Sequence, residues 1–291
     1  MTPRPFRPIV PWLLAAPAVV LLLGFFLGPV LLLFRVSVYE SGSGTGFYRP
    51  GTWSLQAYAG LIEDGYGRGV LAFTVFLGVA VATLSVLVGY PLALFIHTLR
   101  PLAKRLALAA VILPKLANVF VVLYGVSLLL GNSGPLNQGL LWLGLTREPI
   151  LLSHSLAGVL IAETYLIMPY AVLILVPAFD RIDPILLAAA RGLGAGSWTT
   201  FRRVTLPLSL PGVAVAGQLC LIWALGAFVG PLLLGGPEQT TLAVLVPRYG
   251  LEYGDWPTAA VTSVLSLLTI AVCVTAFAWP ARRLGRLGQT R

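Results

Sequence analysis

The thirty residues from Val70 to Leu99 contain no Asp, Glu, Lys or Arg, and five further stretches are nearly as apolar. A run this long has no place in a water-facing fold. A helix of roughly 20 apolar residues is what crosses the hydrocarbon core of a bilayer. The six stretches are 10–38, 70–99, 106–130, 156–178, 210–234 and 258–279. They are continuously apolar rather than alternating with period two, which argues against a β-barrel. The expectation is an all-α integral membrane protein, one domain over 1–291 with six transmembrane helices. Charged residues make up only 10% of the chain, against about 25% in soluble domains. That excludes an ordinary soluble enzyme, a disordered chain and a secreted disulfide scaffold. The first stretch is too long for a signal-peptide core and lacks a small-residue cleavage site, so it reads as an uncleaved span.

Six spans put both ends on one side. If that side is cytoplasmic, the inner segments hold Arg4, Arg7, Arg100, Lys104, Arg105, Arg181, Arg191, Arg202, Arg203, Arg282, Arg283, Arg286 and Arg291 against only Asp180 and Asp183. The outer segments hold Arg49, Arg68, Arg147 and Arg248 against Glu40, Glu63, Asp64, Glu148, Glu238, Glu252 and Asp255. Lys and Arg are retained on the cytoplasmic side during insertion, so both termini are expected inside. The net charge of +9 therefore reflects topology. The basic residues form no stripe interleaved with aromatics, and no nucleic-acid partner is expected. Cys220 and Cys273 have neither metal nor redox spacing and read as free buried thiols; no metal or cofactor is expected.

Of the outer loops, Ser41–Gly51 is rich in turn residues and is expected to be irregular. The segment 132–155 carries Leu136, Leu140, Leu141 and Leu143 at roughly helical spacing, which predicts a short interfacial helix. The chain has no Walker-type phosphate loop, so any ATP chemistry belongs to another chain.

The inner segment 180–209 is not a plain connector. Asp183 followed by Pro184 is a helix start, a carboxylate cap and then a proline at the first helical position. Ile185 to Arg191, with Leu187, Ala188, Ala189 and Ala190, favours helix. Gly192, Gly194 and Gly196 supply the stop. A second short helix through Trp198 and Phe201 is expected to lead to Pro207 and Pro211, where the fifth span begins. The first helix presents leucines and small alanines to water, and reads either as an amphipathic helix on lipid headgroups or as a knob for a groove in a partner.

This spacing resembles the loop signature of membrane subunits of ATP-binding-cassette importers: E-A-A, three residues, Gly, nine residues, then I-x-L-P. Here Ala188, Ala189 and Ala190 stand at the triplet, Gly194 follows, and Val204, Thr205, Leu206 and Pro207 close the pattern. Ala188 replaces the family glutamate, so a salt bridge from that position is not carried over. Gly89–Tyr90–Pro91–Leu92–Ala93, Gly134–Pro135–Leu136–Asn137, Gly226–Ala227–Phe228–Val229–Gly230–Pro231 and Asp255–Trp256–Pro257 are also similar to the family, most of all to its spermidine/putrescine branch.

The resemblance implies a type I importer permease fold in a bacterial or archaeal cytoplasmic membrane. It implies a second, paralogous permease as partner, two ATP-binding cassette subunits, and an extracytoplasmic solute-binding protein. Asp183, Pro184, Leu187, Ala188, Ala189, Ala190, Arg191, Gly194, Leu206 and Pro207 would form the ATPase-coupling loop. The chain itself would not be an enzyme.

Ionisable groups at membrane depth are costly and call for an account. Glu163 lies in the fourth stretch near Tyr165, Pro169 and Tyr170, and Lys115 lies in the third between Pro114 and Asn118. The two pair with each other or snorkel, or line a solute path, where a carboxylate among aromatics suits a cation, or face the second permease that the resemblance implies. Trp223 and Phe228 are further candidates for that path, with packing the competing account. Gly89–Pro91, Pro114 and Pro231 are expected to interrupt their helices. His97 and His154 read as interfacial. The competing function is a self-sufficient secondary transporter or channel that uses Glu163. A membrane enzyme ranks last, because no cluster of catalytic side chains falls on one membrane face.

Overall fold

A computed structural model describes residues 9–42 and 47–287, with side chains over 15–42 and 47–279. Arg4, Arg7 and Arg291 of the charge count lie outside the described residues, as do the side chains of Arg282, Arg283 and Arg286. The chain forms two compact units, one of residues up to Asp64 with Val246–Val264, the other of Gly65–Leu245 with the residues from Leu265 onward.

In chain order, the first unit begins with α1 (Ile9–Val36). A two-residue antiparallel pair follows, β1 (Glu40–Ser41) with β2 (Tyr48–Arg49), Glu40 opposite Arg49. The Ser41–Gly51 loop, expected to be irregular, thus contains a short strand pair; 43–46 lie outside the described residues. Next comes α2 (Gln56–Glu63). Tyr58 Oη lies 2.8 Å from Ser37 Oγ, and the Arg35 guanidinium sits over the Tyr39 and Trp53 rings.

The second unit contains α3 (Gly65–His97), α4 (Pro101–Ile112), α5 (Val119–Leu130), α6 (Pro135–Trp142), α7 (Leu156–Asp180), α8 (Pro184–Gly192), α9 (Ser197–Thr200), α10 (Leu206–Leu225) and α11 (Val229–Leu234). After α12 (Leu242–Pro247), α13 (Trp256–Leu287) ends the described chain. Among the described residues, six stretches are long and apolar enough to cross a membrane: Ala15–Val36, Gly65–His97, Val119–Trp142, Leu156–Asp180, Ser197–Leu225 and Trp256–Trp279. This is a multi-pass membrane protein.

Two stretches differ from the sequence expectation. The third is interrupted at Pro114, as expected, but the membrane-length stretch is Val119–Trp142 rather than 106–130. A 3₁₀ turn, Leu113–Leu116, follows α4, and Asn118 starts a new helix by accepting the Phe120 N–H at 2.9 Å. Pro114 has no N–H to continue the ladder, and the asparagine cap satisfies a donor of the next helix instead. The apolar stretch then continues into α6, the short helix expected from its leucine spacing.

The fifth stretch is displaced towards the N-terminus. A π-helical turn, Phe201–Thr205, joins α9 to α10, so helix runs from Ser197 to Leu225 rather than over 210–234. Pro207 follows closely on the π turn, within this continuous stretch. The interruption falls at Gly226–Phe228, ahead of Pro231, and the freed Ala227 carbonyl accepts the Thr241 hydroxyl at 3.0 Å.

The core of this unit is where α3, α7 and α10 meet, with Leu77, Val81, Val172, Leu175, Phe179 and Cys220 essentially inaccessible. The expected interruption at Gly89–Pro91 is absent, since α3 is continuous through Pro91. Gly89 has another use: a Cβ there would lie 3.1 Å from the Ala171 Cβ, so the missing side chain lets α3 and α7 approach closely. Small residues at such crossings replace the hydrophobic drive that lipid cannot supply. At one end Asp180 ties three helices together. Its Oδ1 is 2.6 Å from His97 Nδ1, and Lys104 Nζ donates to both oxygens at 2.6 Å. His97 is thus paired rather than simply interfacial.

Asn137 is fully buried at the other end of the unit. Its Nδ2 donates to the Gly131 and Ile150 carbonyls at 3.0 Å, and its Oδ1 accepts the Ile150 N–H at 2.8 Å. Asn137→Leu leaves those backbone groups unpaired, at a cost of about 2–4 kcal/mol. The expected result is a lower denaturation midpoint with the same six spans inserted; an unchanged midpoint would refute the clamp.

Candidate functional site

Two places bring the candidate residues together. The first is the 180–209 segment. Asp183 accepts the Ile185 N–H at 2.9 Å, and Pro184 opens α8. The helix closes with Leu193, Gly194 and Ala195 N–H groups donating to the Ala189, Arg191 and Ala190 carbonyls. Gly194 has φ +81°, the left-handed conformation a side chain resists.

Ala188, Ala189 and Arg191 are exposed, whereas Leu187 and Ala190 are half-buried. Beyond the segment's glycines, Leu206 is half-buried and Pro207 exposed. The largest exposed apolar groups are Ile185, Leu193 and Trp198, at 71%, 90% and 71% exposure. Ile185 and Leu193 were not among the candidate contacts. Their flanking positions, one just inside the proline start and one beside the glycine stop, were the available signal.

This segment is tied back to the core by rings. Trp198 stacks on Phe201 at 5.5 Å, Phe201 lies 6.2 Å edge-on from Tyr90, and Tyr90 lies 5.1 Å edge-on from Phe179. The Tyr90 hydroxyl also lies 2.8 Å from Ser209 Oγ at the start of α10.

The second place is a cavity of about 340 Å³ bounded by the 113–119 break, α7, the end of α10 and the start of α11. Its polar wall is made by Glu163, Lys115, Tyr170 and Trp223, with Phe228 closing one side. Glu163 is 4% exposed and accepts the Gly230 N–H at 3.1 Å. That N–H belongs to the first turn of α11, where donors have no partner within the helix.

Tyr170 and Trp223 are stacked at 5.0 Å with ring planes 12° apart, and Lys115 Nζ sits 4.4 Å from the Tyr170 centroid. No ion pair within 4.0 Å joins Lys115 to Glu163. A carboxylate and a π face in one recess can hold a cation by charge and by the ring quadrupole.

Two candidate residues do not line this cavity. Tyr165 is 41% exposed and away from the cavity, and Asn118 is used as the α5 cap. Tyr170 takes the place the sequence reading offered to Tyr165. The signal was spacing: seven residues return a helix to the same face, whereas two residues rotate by roughly 200°.

Residues 85–281 match the family described as binding-protein-dependent transport system inner membrane component. A relative, the spermidine/putrescine transport system permease protein PotB of Salmonella typhimurium (strain SL1344), is 33% identical over 233 residues, 80% of each chain. A crystal structure of a bacterial ABC transporter involved in the import of the acidic polysaccharide alginate contains a chain of the same fold. It has a TM-score of 0.73 at 22% identity and covers 94% of this chain and 96% of that one. A second alginate ABC transporter structure, in complex with an alginate pentasaccharide-bound periplasmic protein, matches with a TM-score of 0.70 at 21% identity, over 94% and 95%.

Proposed function

Since this chain belongs to the binding-protein-dependent transport system inner membrane components, and is a permease of an ABC importer with the type I fold, we propose that it forms a polyamine path with a second permease. Import is driven by two separate ATPase subunits and supplied by an extracytoplasmic binding protein. The membrane is the bacterial or archaeal cytoplasmic membrane, with both termini and the 183–194 helix on the ATPase side, as the distribution of Lys and Arg supports.

One observation carries the choice of solute: a buried carboxylate, Glu163, shares a cavity with a stacked Tyr170–Trp223 pair. The fold alone does not select a solute, because neighbours of the same fold serve an acidic polysaccharide. A cation-seeking recess together with a spermidine/putrescine relative favours an aliphatic polyamine. Closure of the ATPases would move α8 as a rigid lever and rock the α3, α7 and α10 bundle, exposing the cavity to alternate sides.

Glu163→Gln is the test. It keeps the acceptor for Gly230 and removes the charge. Spermidine uptake in proteoliposomes is expected to fall at least about tenfold while the ATPase and second permease still co-purify. Wild-type uptake by the well-assembled variant would sink the path assignment. A loss of assembly that Lys115→Met repairs would make Glu163 a structural counter-charge. Uptake by the chain alone, without ATP, would instead favour a self-sufficient carrier.

A further inference from the structure

The cavity already contains an alkylammonium, and it is the protein's own. Lys115 ends in a short polymethylene stem and a primary ammonium, the same moiety that ends an aliphatic polyamine. Its Nζ rests over Tyr170, whose other partner is the Trp223 ring, and among the described residues no carboxylate lies within 4.0 Å of it. Glu163 meanwhile spends its oxygen on the Gly230 N–H. A lysine serving only to neutralise a buried carboxylate would be expected to reach it. This one takes the aromatic face, near enough to feel the carboxylate's charge but without an ion-pair contact, and both residues line the cavity.

We propose that Tyr170, Trp223 and Glu163 form a subsite for one primary ammonium of the solute, and that Lys115 is its tethered stand-in, seated when solute is absent and displaced when solute enters. The inference rests on the polyamine reading of the cavity and adds what determines its affinity and release. The backbone suits the role. Lys115 lies in the 3₁₀ turn between α4 and α5, preceded by Pro114 and followed by the Asn118 cap, rather than within a rigid span.

A group on so short a tether competes at an effective concentration in the millimolar range. It therefore weakens retention of any ammonium that must share the same ring and carboxylate. Two ammonium groups at one ring face also repel, so the arriving solute pushes the lysine aside, and the returning lysine helps to empty the site. Conduction needs this balance, because a site that binds too tightly stops flow.

The test measures spermidine binding to the assembled permease–ATPase complex in lipid nanodiscs, without the binding protein. Lys115→Met and Lys115→Gln remove the competitor, Lys115→Arg keeps a cation, and Glu163→Gln removes the attracting charge. The Met and Gln variants are expected to bind spermidine about tenfold tighter, a shift of about 1.4 kcal/mol, with the Arg variant within about twofold of wild type. Equal or weaker binding by the Met and Gln variants, with Glu163→Gln still weakening it, overturns the stand-in and leaves the polyamine reading intact. Tightening in Arg as large as in Met overturns it too, because bulk rather than charge would then be responsible. No spermidine binding by any protein, wild type included, overturns both.

Discussion

Gly194→Val and Ala189→Glu are expected to leave the six spans inserted while removing most solute-stimulated ATP hydrolysis and uptake. The two changes act differently on the same helix end. At Gly194 the backbone holds φ +81° with open space around it, so a valine meets no neighbour and the penalty is conformational. A β-branched residue in the left-handed region costs about 1–3 kcal/mol, enough to shift the stop of α8 and re-aim Leu193.

At Ala189 the backbone is ordinary helix and the side chain is exposed. Glutamate there brings bulk and charge to a segment that also exposes the apolar Ile185, Leu193 and Trp198. Because alanine stands at the family's glutamate position, Ala188, the proposed ATPase contact must rest on shape and apolar packing. The control is Gly139→Val in α6, which also has open space but no positive φ; it is expected to transport at near wild-type rates. Wild-type co-purification of the ATPase and wild-type uptake by both inner variants would remove the coupling assignment.

Gly230→Ala is expected to lower uptake at least about tenfold without loss of expression. A Cβ at Gly230 would overlap the Glu163 carboxylate, which must leave the Gly230 N–H. The carboxylate ends a flexible side chain, so the fold can yield by rotating it. The cost therefore appears in the site more than in stability. The diagnostic is non-additivity: in a Glu163→Gln background, where the charge is already gone, Gly230→Ala should cost little more. Additive losses would show that Gly230 acts through packing alone.

The spans were legible because uncharged length is a strong signal, and α8 was legible because its start and stop use residues with few alternative uses, Asp183–Pro184 and Gly194. The breaks were harder to place. Pro114 announced one, but whether a proline ends a helix depends on what satisfies the freed groups. Pro91 sits in an unbroken α3, while Asn118 makes Pro114 a true boundary.

The inner face of α7 was obscure for a related reason. In a span apolar all round, hydrophobic periodicity does not distinguish the protein side from the lipid side, so Tyr165 and Tyr170 looked equivalent. Only a polar anchor, Glu163, with Leu166, Ile167 and Tyr170 at helical spacing from it, orients the helix. The stacking of Tyr170 on Trp223 joins residues far apart in sequence, and nothing local encodes it.

The run of rings from Trp198 through Phe201 and Tyr90 to Phe179 has a mechanical consequence. Close-packed rings resist being pressed together as steeply as any contact in a protein interior. They resist separation only by the depth of their attraction, about 0.5–1.5 kcal/mol per pair. The column is therefore asymmetric: stiff when the 197–201 end is driven towards α7, slack when it is drawn away. A stroke delivered through it would act as a push rod, transmitting thrust in one direction and leaving the return stroke to other members, such as the Tyr90–Ser209 hydrogen bond.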